Sequence, residues 1–234
     1  NHRFLQLFFR AWADSRPIAQ HERPEDDRFA AYVGSVIGLG RPAFRDLDTV
    51  PDAQKLAHAG LMGPAAKSAS RLECLIRGVL GLYAWVEEFI GGWLAMEMEA
   101  RTRLGRANAR LGDDAMAGGT VFSVTDKVRI HVRTASLAEY ERLLPRGALA
   151  EPLADLVLFY LGETIDWDME LAIPDREVPA LRLGGRGALG WTSWLAPPAA
   201  AADSSAERAD ARFNLAERVR VQRARQADRH GASP

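Results

Sequence analysis

The sequence predicts an α+β protein with a helix-rich N-terminal half, a strand-helix-helix-strand unit in the C-terminal half and a tail that is partly helical or disordered. Three observations carry this prediction. Apolar residues recur at helical spacing before residue 81. Two later segments, Lys127–Arg133 and Ile165–Ile173, alternate apolar and charged residues with the period of a strand, and two helical stripes lie between them.

The chain has 234 residues, 47% of them hydrophobic and 26% charged, which is enough apolar material to bury a core without metal or disulfide staples. Its single cysteine, Cys74, excludes an internal disulfide framework. With 30 basic and 31 acidic residues the formal net charge is -1, so no global field draws the chain to nucleic acid or anionic lipid. No apolar run is long enough to span a bilayer and the first residues do not have the pattern of a signal peptide, so a cytoplasmic location is expected. The chain starts at Asn1-His2 and enters a helical pattern directly, which suggests that some N-terminal sequence precedes it.

Three regions are expected: a helical region over 1–81, an α+β region over 82–196 and an Ala/Arg-rich tail over 197–234. Phe4, Leu5, Phe8, Phe9 and Trp12 share one short helix, more bulky apolar groups than an isolated surface helix carries, so this helix must pack on the domain or on a partner. Phe29–Ile37 reads as a helix stopped by Gly38-Leu39-Gly40, 41–52 as a loop, and Ala53–Leu61 as a helix. Leu72, Leu75, Ile76, Val79 and Leu80 form a clear helical stripe, with Ser70 and Glu73 as a capping box or Ser68 as a cap one turn earlier, and Gly81 as the stop.

Tyr83–Ile90 favours a strand, and 101–119 reads as an exposed excursion rich in glycine and charge. Lys127–Arg133 is a strand with a basic outer face. Ser136 and Glu139 form a capping box for a helix through Leu144, and Pro152 opens another that Gly162 closes. Ile165–Ile173 is a strand with an acidic outer face, and a short strand is expected near Leu181–Leu183. In the tail seven arginines meet five acids, and a helix is expected over part of 205–228.

The densest segment is Leu183–Leu195, where four glycines precede Trp191 and Trp194. Gly185-Arg186-Gly187-Ala188-Leu189-Gly190 fits the G-x-G-x-x-G template, but a dinucleotide site needs a helix opening at the last glycines, and Trp191-Thr192-Ser193-Trp194 running to Pro197-Pro198 does not open one. The histidines are scattered without metal-ligand spacing, and Cys74 and Ser193 lack the surroundings of a nucleophile. Asp166 and Asp168 share one strand face, and His131 lies on the polar face of another; solvation explains both better than metal binding. No catalytic residue, metal or cofactor is expected. Trp191 and Trp194 read either as core packing of a terminal segment or as partner anchors, since tryptophan is enriched at interface hot spots.

An ordered set of motifs resembles the TssG (ImpH) family of type VI secretion baseplate subunits. Phe4, Leu7-Phe8-Phe9-Arg10-Ala11 and Trp12 match its first helix. Lys55-Leu56, Val86-Glu87-Glu88-Phe89 with Trp93, Arg103-Leu104-Gly105, Leu144-Pro145, Tyr160-Leu161-Gly162, Asp166-Trp167-Asp168 and Leu189-Gly190-Trp191-Thr192-Ser193-Trp194-Leu195 follow in order. Thr125–Ile130 and Arg133-Thr134-Ala135 depart from the family pattern, and the tail lies outside it. The resemblance implies a non-enzymatic adaptor that joins TssF and TssK in a baseplate wedge, with TssE and the spike hub as indirect partners, at the cytoplasmic side of the inner membrane. It makes Phe4, Phe8, Trp12, Trp191, Trp194 and Leu195 candidate partner contacts, and the loops 41–52 and 101–119 candidate contacts for TssK. The rival readings are a nucleic-acid or other partner-binding module using the arginine tail, and a dinucleotide-binding enzyme.

Overall fold

The computed structural model describes residues 3, 5–7, 27–63, 66–179, 181, 187–194 and 206–231. Of the expected first helix, Arg3 and Leu5 to Leu7 are helical, whereas Phe4, Phe8 and Trp12 lie outside the described residues, as does Leu195. The helical half begins with α1 (Arg28–Val36), capped by the Asp27 carboxylate, which accepts from the Ala30 amide at 2.9 Å. The predicted helix over Ala53–Leu61 is two, α2 (Asp52–Ala57) and α3 (Ala59–Met62), divided at His58. The break lets the His58 ring lie on α4 (Ala69–Leu80) at Gly78, where any Cβ would collide with it.

Helix α4 buries Leu72, Leu75 and Ile76 and stops at Gly81, whose φ of 70° is left-handed. Ser68 holds its N-cap position without a side-chain hydrogen bond. Glu73 is not part of a capping box, because its carboxylate accepts from the Val86 amide at 2.8 Å and ties the helix to the next strand.

That strand is β1 (Tyr83–Glu87), three residues shorter than expected because Phe89 takes a left-handed φ of 62°. A two-stranded ribbon follows, β2 (Gly92–Ala95) against β3 (Thr120–Ser123), and the predicted excursion 101–119 is its tip. The tip has its own hydrogen bonds, with the Asn108 amide group donating to Glu99 O at 2.8 Å and the Met116 amide to Thr102 Oγ1 at 2.8 Å.

Strand β4 (Lys127–Arg133) pairs antiparallel with β1 and parallel with β5 (Asp166–Pro174). Parallel pairing demands a crossover, supplied by α5 (Leu137–Leu143) and α6 (Ala150–Leu161). Half of the expected capping box of α5 forms, Glu139 N donating to Ser136 Oγ at 3.3 Å, while the Glu139 carboxylate accepts from the Ala135 amide, one residue before the cap, at 2.7 Å. Helix α6 is buried along most of its length, and its Tyr160 hydroxyl both donates to Ser68 O and accepts from Ser68 N, locking α6 to the start of α4.

The tail holds the helix expected over part of 205–228, α7 (Leu215–Gly231), and ahead of it a strand that the sequence does not predict, β6 (Glu207–Phe213), antiparallel to β5. The sheet order is therefore β1-β4-β5-β6, and Phe213, Leu215 and Val219 join one core cluster with Leu75, Ile130 and Leu156. The short strand expected near Leu181–Leu183 is absent at Leu181, and Leu183 lies outside the described residues.

Candidate partner interface

The glycine-rich stretch, from Gly187 onward, forms a turn. The Ala188 amide donates to Thr192 Oγ1 at 2.9 Å, the amides of Trp191 and Thr192 return to Ala188 O, and Gly190 supplies a φ of 78°. No helix opens at its last glycine, so pyrophosphate would find no helix N-terminus there. The turn delivers both tryptophans to the C-terminal elements of this chain. Trp194, 7% exposed, packs 5.8 Å from the Tyr140 ring and donates its indole N–H to Asp210 on β6 at 3.0 Å. Trp191 meets Phe213 edge to face at 4.9 Å, and the Arg218 guanidinium lies over its ring at 5.0 Å. Burial, helped by the charge of Asp210, pushes the Tyr140 phenol well above its ordinary range, so it stays protonated and donates to Trp191 O at 3.3 Å.

The charged strand faces turn out to be mutual partners. In the parallel register Arg129 stands beside Asp168 and His131 beside Glu170, so the basic face of β4 and the acidic face of β5 form one surface. Asp168, expected to be solvated, is only 6% exposed: Arg129 grips it with two hydrogen bonds at 2.6 and 3.0 Å, and Lys127 Nζ lies at 3.1 Å. His131 is also not solvent-facing. Its Nδ1 lies 3.0 Å from Glu170, its Nε2 lies 2.8 Å from Glu87, and Trp85 stacks on the ring at 4.6 Å. Burial raises the Asp168 and Glu170 carboxyls, but the hydrogen bonds and charges of Arg129 and Lys127, and of Arg212 and His131, hold both below the ordinary carboxylate range.

A further acid, Asp155 on α6, organises the loop 41–52. Its carboxylate accepts from Thr49 N at 2.9 Å, Thr49 Oγ1 at 2.8 Å and Arg223 of α7 at 2.8 Å. Val50 is buried beside it, while Phe44 and Leu47 of the same loop are exposed. Sequence reasoning missed Asp155 because it sits among the apolar residues of a helix without any local signal.

The ribbon presents the most prominent exposed apolar group. Trp93 is 71% exposed and Phe122 55%, their rings edge to face at 5.3 Å. Gly91 lies flush against Phe122, leaving no room for a side chain. Phe89, Leu104 and Leu111 are exposed nearby in sequence, whereas among the described residues no group of three or more His, Cys, Asp or Glu side chains is placed to hold a metal. No helix among the described residues is long and apolar enough to cross a membrane.

The family model for "Type VI secretion, TssG" matches residues 1–196. A chain of the type VI secretion TssK-TssF-TssG baseplate subcomplex, solved by cryo-electron microscopy, shares the fold at a TM-score of 0.67 and 23% identity, covering 91% of this chain and 90% of that one. A chain of the type VI secretion baseplate complex aligns at a TM-score of 0.50 and 23% identity, covering 89% of this chain and 61% of that one. No curated protein matches the sequence. By the family match over most of its length, the chain belongs to the type VI secretion TssG family.

Proposed function

We propose that this chain is a structural, non-enzymatic subunit of the type VI secretion baseplate, an adaptor that joins TssF and TssK as the contractile machine assembles. The observation that carries this reading is the family match over residues 1–196. A chain of the same fold in a solved TssK-TssF-TssG subcomplex supports both partners. TssE and the spike hub are reached indirectly in this proposal, at the cytoplasmic side of the inner membrane.

The described surface suggests how contacts divide. The ribbon with Trp93 and Phe122 and its tip 101–119 exposes large apolar groups among the described residues, so it is our candidate for TssK. The first helix, with Phe4, Phe8 and Trp12, is our candidate for TssF, together with Leu195. Trp191 and Trp194 contribute by fixing the chain that leads to Leu195. Co-purification of the full chain with TssF and TssK tests the proposal: a ternary complex is expected, and a chain that recovers neither partner overturns it.

A further inference from the structure

We infer that the body of this protein carries an acidic acceptor site for an arginine-bearing strand and helix, and that its ligand is the chain's own segment 206–231. The segment lies beyond the residues that the family model matches. It enters as β6 on the edge of β5, so main-chain pairing sets its register: Met169 stands opposite Phe213 and Glu170 opposite Arg212.

Side chains then read that register. Arg208 Nε meets Asp175 at 3.2 Å, and Arg212 Nε meets Glu170 at 3.0 Å. After the turn at Asn214, Arg220 reaches Glu163 at 3.3 Å and Arg223 reaches the buried Asp155 at 2.8 Å, while Arg218 lies on the Trp191 ring. Every arginine from 206 to 224 therefore faces a carboxylate or an indole of the body. The acceptor carboxylates come from four separate places, Asp155 on helix α6, Glu163 in the loop after it, Glu170 on strand β5 and Asp175 in the turn after that strand, and all four meet arginines of this segment. Apolar groups are secondary to this pattern but necessary to it, with Phe213, Leu215 and Val219 closing the core beneath the ion pairs.

Two consequences follow. Five of the seven arginines that suggest nucleic-acid binding in the sequence, Arg208, Arg212, Arg218, Arg220 and Arg223, are engaged within the molecule, and β6 covers the edge of β5, which would otherwise be open to strand addition. The segment acts as a charge-locked clasp that shields the β5 edge and the two tryptophans together.

Hydrogen-deuterium exchange on the full chain tests this. In an Arg212→Ala/Arg223→Ala variant, the amides of Glu207–Phe213 are expected to exchange about tenfold faster or more, with those of Lys127–Arg133 unchanged. Raising salt to about 1 M should accelerate β6 exchange in the wild type as well. Arg212→Lys/Arg223→Lys, which keeps the charge, should restore part of the protection, and this separates lost ion pairing from lost packing. Unchanged exchange in β6 in the alanine variant and at high salt overturns the inference. So does wild-type binding to a single-stranded oligonucleotide at physiological salt that the alanine variant loses, because those arginines would then be free for an outside ligand.

Discussion

The Trp194 indole N–H reaches Asp210 across an intervening segment of chain, at 3.0 Å, and fastens the end of the glycine-rich turn to strand β6. Trp194 thus closes this subunit's own core. Trp194→Ala removes a buried ring and leaves Asp210 without its donor, so the expected loss is about 3 to 5 kcal/mol in urea unfolding. Trp194→Phe, which keeps most of the ring and loses the hydrogen bond, should cost about 1 to 3 kcal/mol. Equal stability of Trp194→Ala and wild type would show that the ring contributes nothing to the fold.

Acid should weaken the fold through three carboxylates. Asp155, Asp168 and Glu170 are each raised by burial, but hydrogen bonds from Arg223 and Thr49, from Arg129 and Lys127, and from Arg212 and His131 leave all three depressed in the folded state. The unfolded chain therefore binds more protons than the folded one as pH falls below the unfolded values of about 4. The stabilisation is complete above about pH 5 and is lost as pH drops through the folded values. Urea midpoints measured from pH 7 to pH 3 should fall steeply in wild type and less steeply in Asp168→Asn. Parallel curves would remove Asp168 from the account.

The exposed ribbon should behave in the opposite way from the buried tryptophan. Trp93 and Phe122 touch each other far more than they touch the core, so Trp93→Ala/Phe122→Ala should change stability by only about 1 kcal/mol. Recovery of TssK with the chain should nevertheless fall about tenfold or more, as truncation of an aromatic hot spot does. A variant that keeps its fold and still recovers TssK at wild-type levels would move the contact elsewhere on the surface.

How much of this was legible in the sequence depends on the range of the interaction. The stripe of Leu72, Leu75 and Ile76, the stop at Gly81 and the Ser136 cap on Glu139 N are local signals, and all three form where the sequence places them. Strand β6 was hidden because Glu207-Arg208-Ala209-Asp210-Ala211-Arg212-Phe213 is rich in strong helix formers, and only pairing with β5 overrides that preference. The alternation in β4 and β5 was plain, but the burial of Asp168 follows from parallel pairing that brings the two charged faces together. The ribbon strands are four residues each, too short for a period to show.

Lys55 supplies a last test, of a cation buried in the helical half. Its side chain is 1% exposed, its Nζ lies 2.8 Å from Asp48 and 2.9 Å from Asp52, and it stands over the Phe159 ring at 5.2 Å. Burial pulls the ammonium toward losing its proton, but hydrogen bonds to the two aspartates outweigh this and its pKa is raised, so the charge persists. Lys55→Met fills the same volume but strands two carboxylates, and the expected cost is about 3 to 5 kcal/mol. Adding Asp48→Asn and Asp52→Asn should recover much of that loss. Asparagine can still accept from the Val50 and Asp46 amides that these residues hold, without a charge left to neutralise. The cycle of urea midpoints isolates the coupling. If the triple variant is no more stable than Lys55→Met, the cost lies in packing against Phe159 and the ion pairs are incidental.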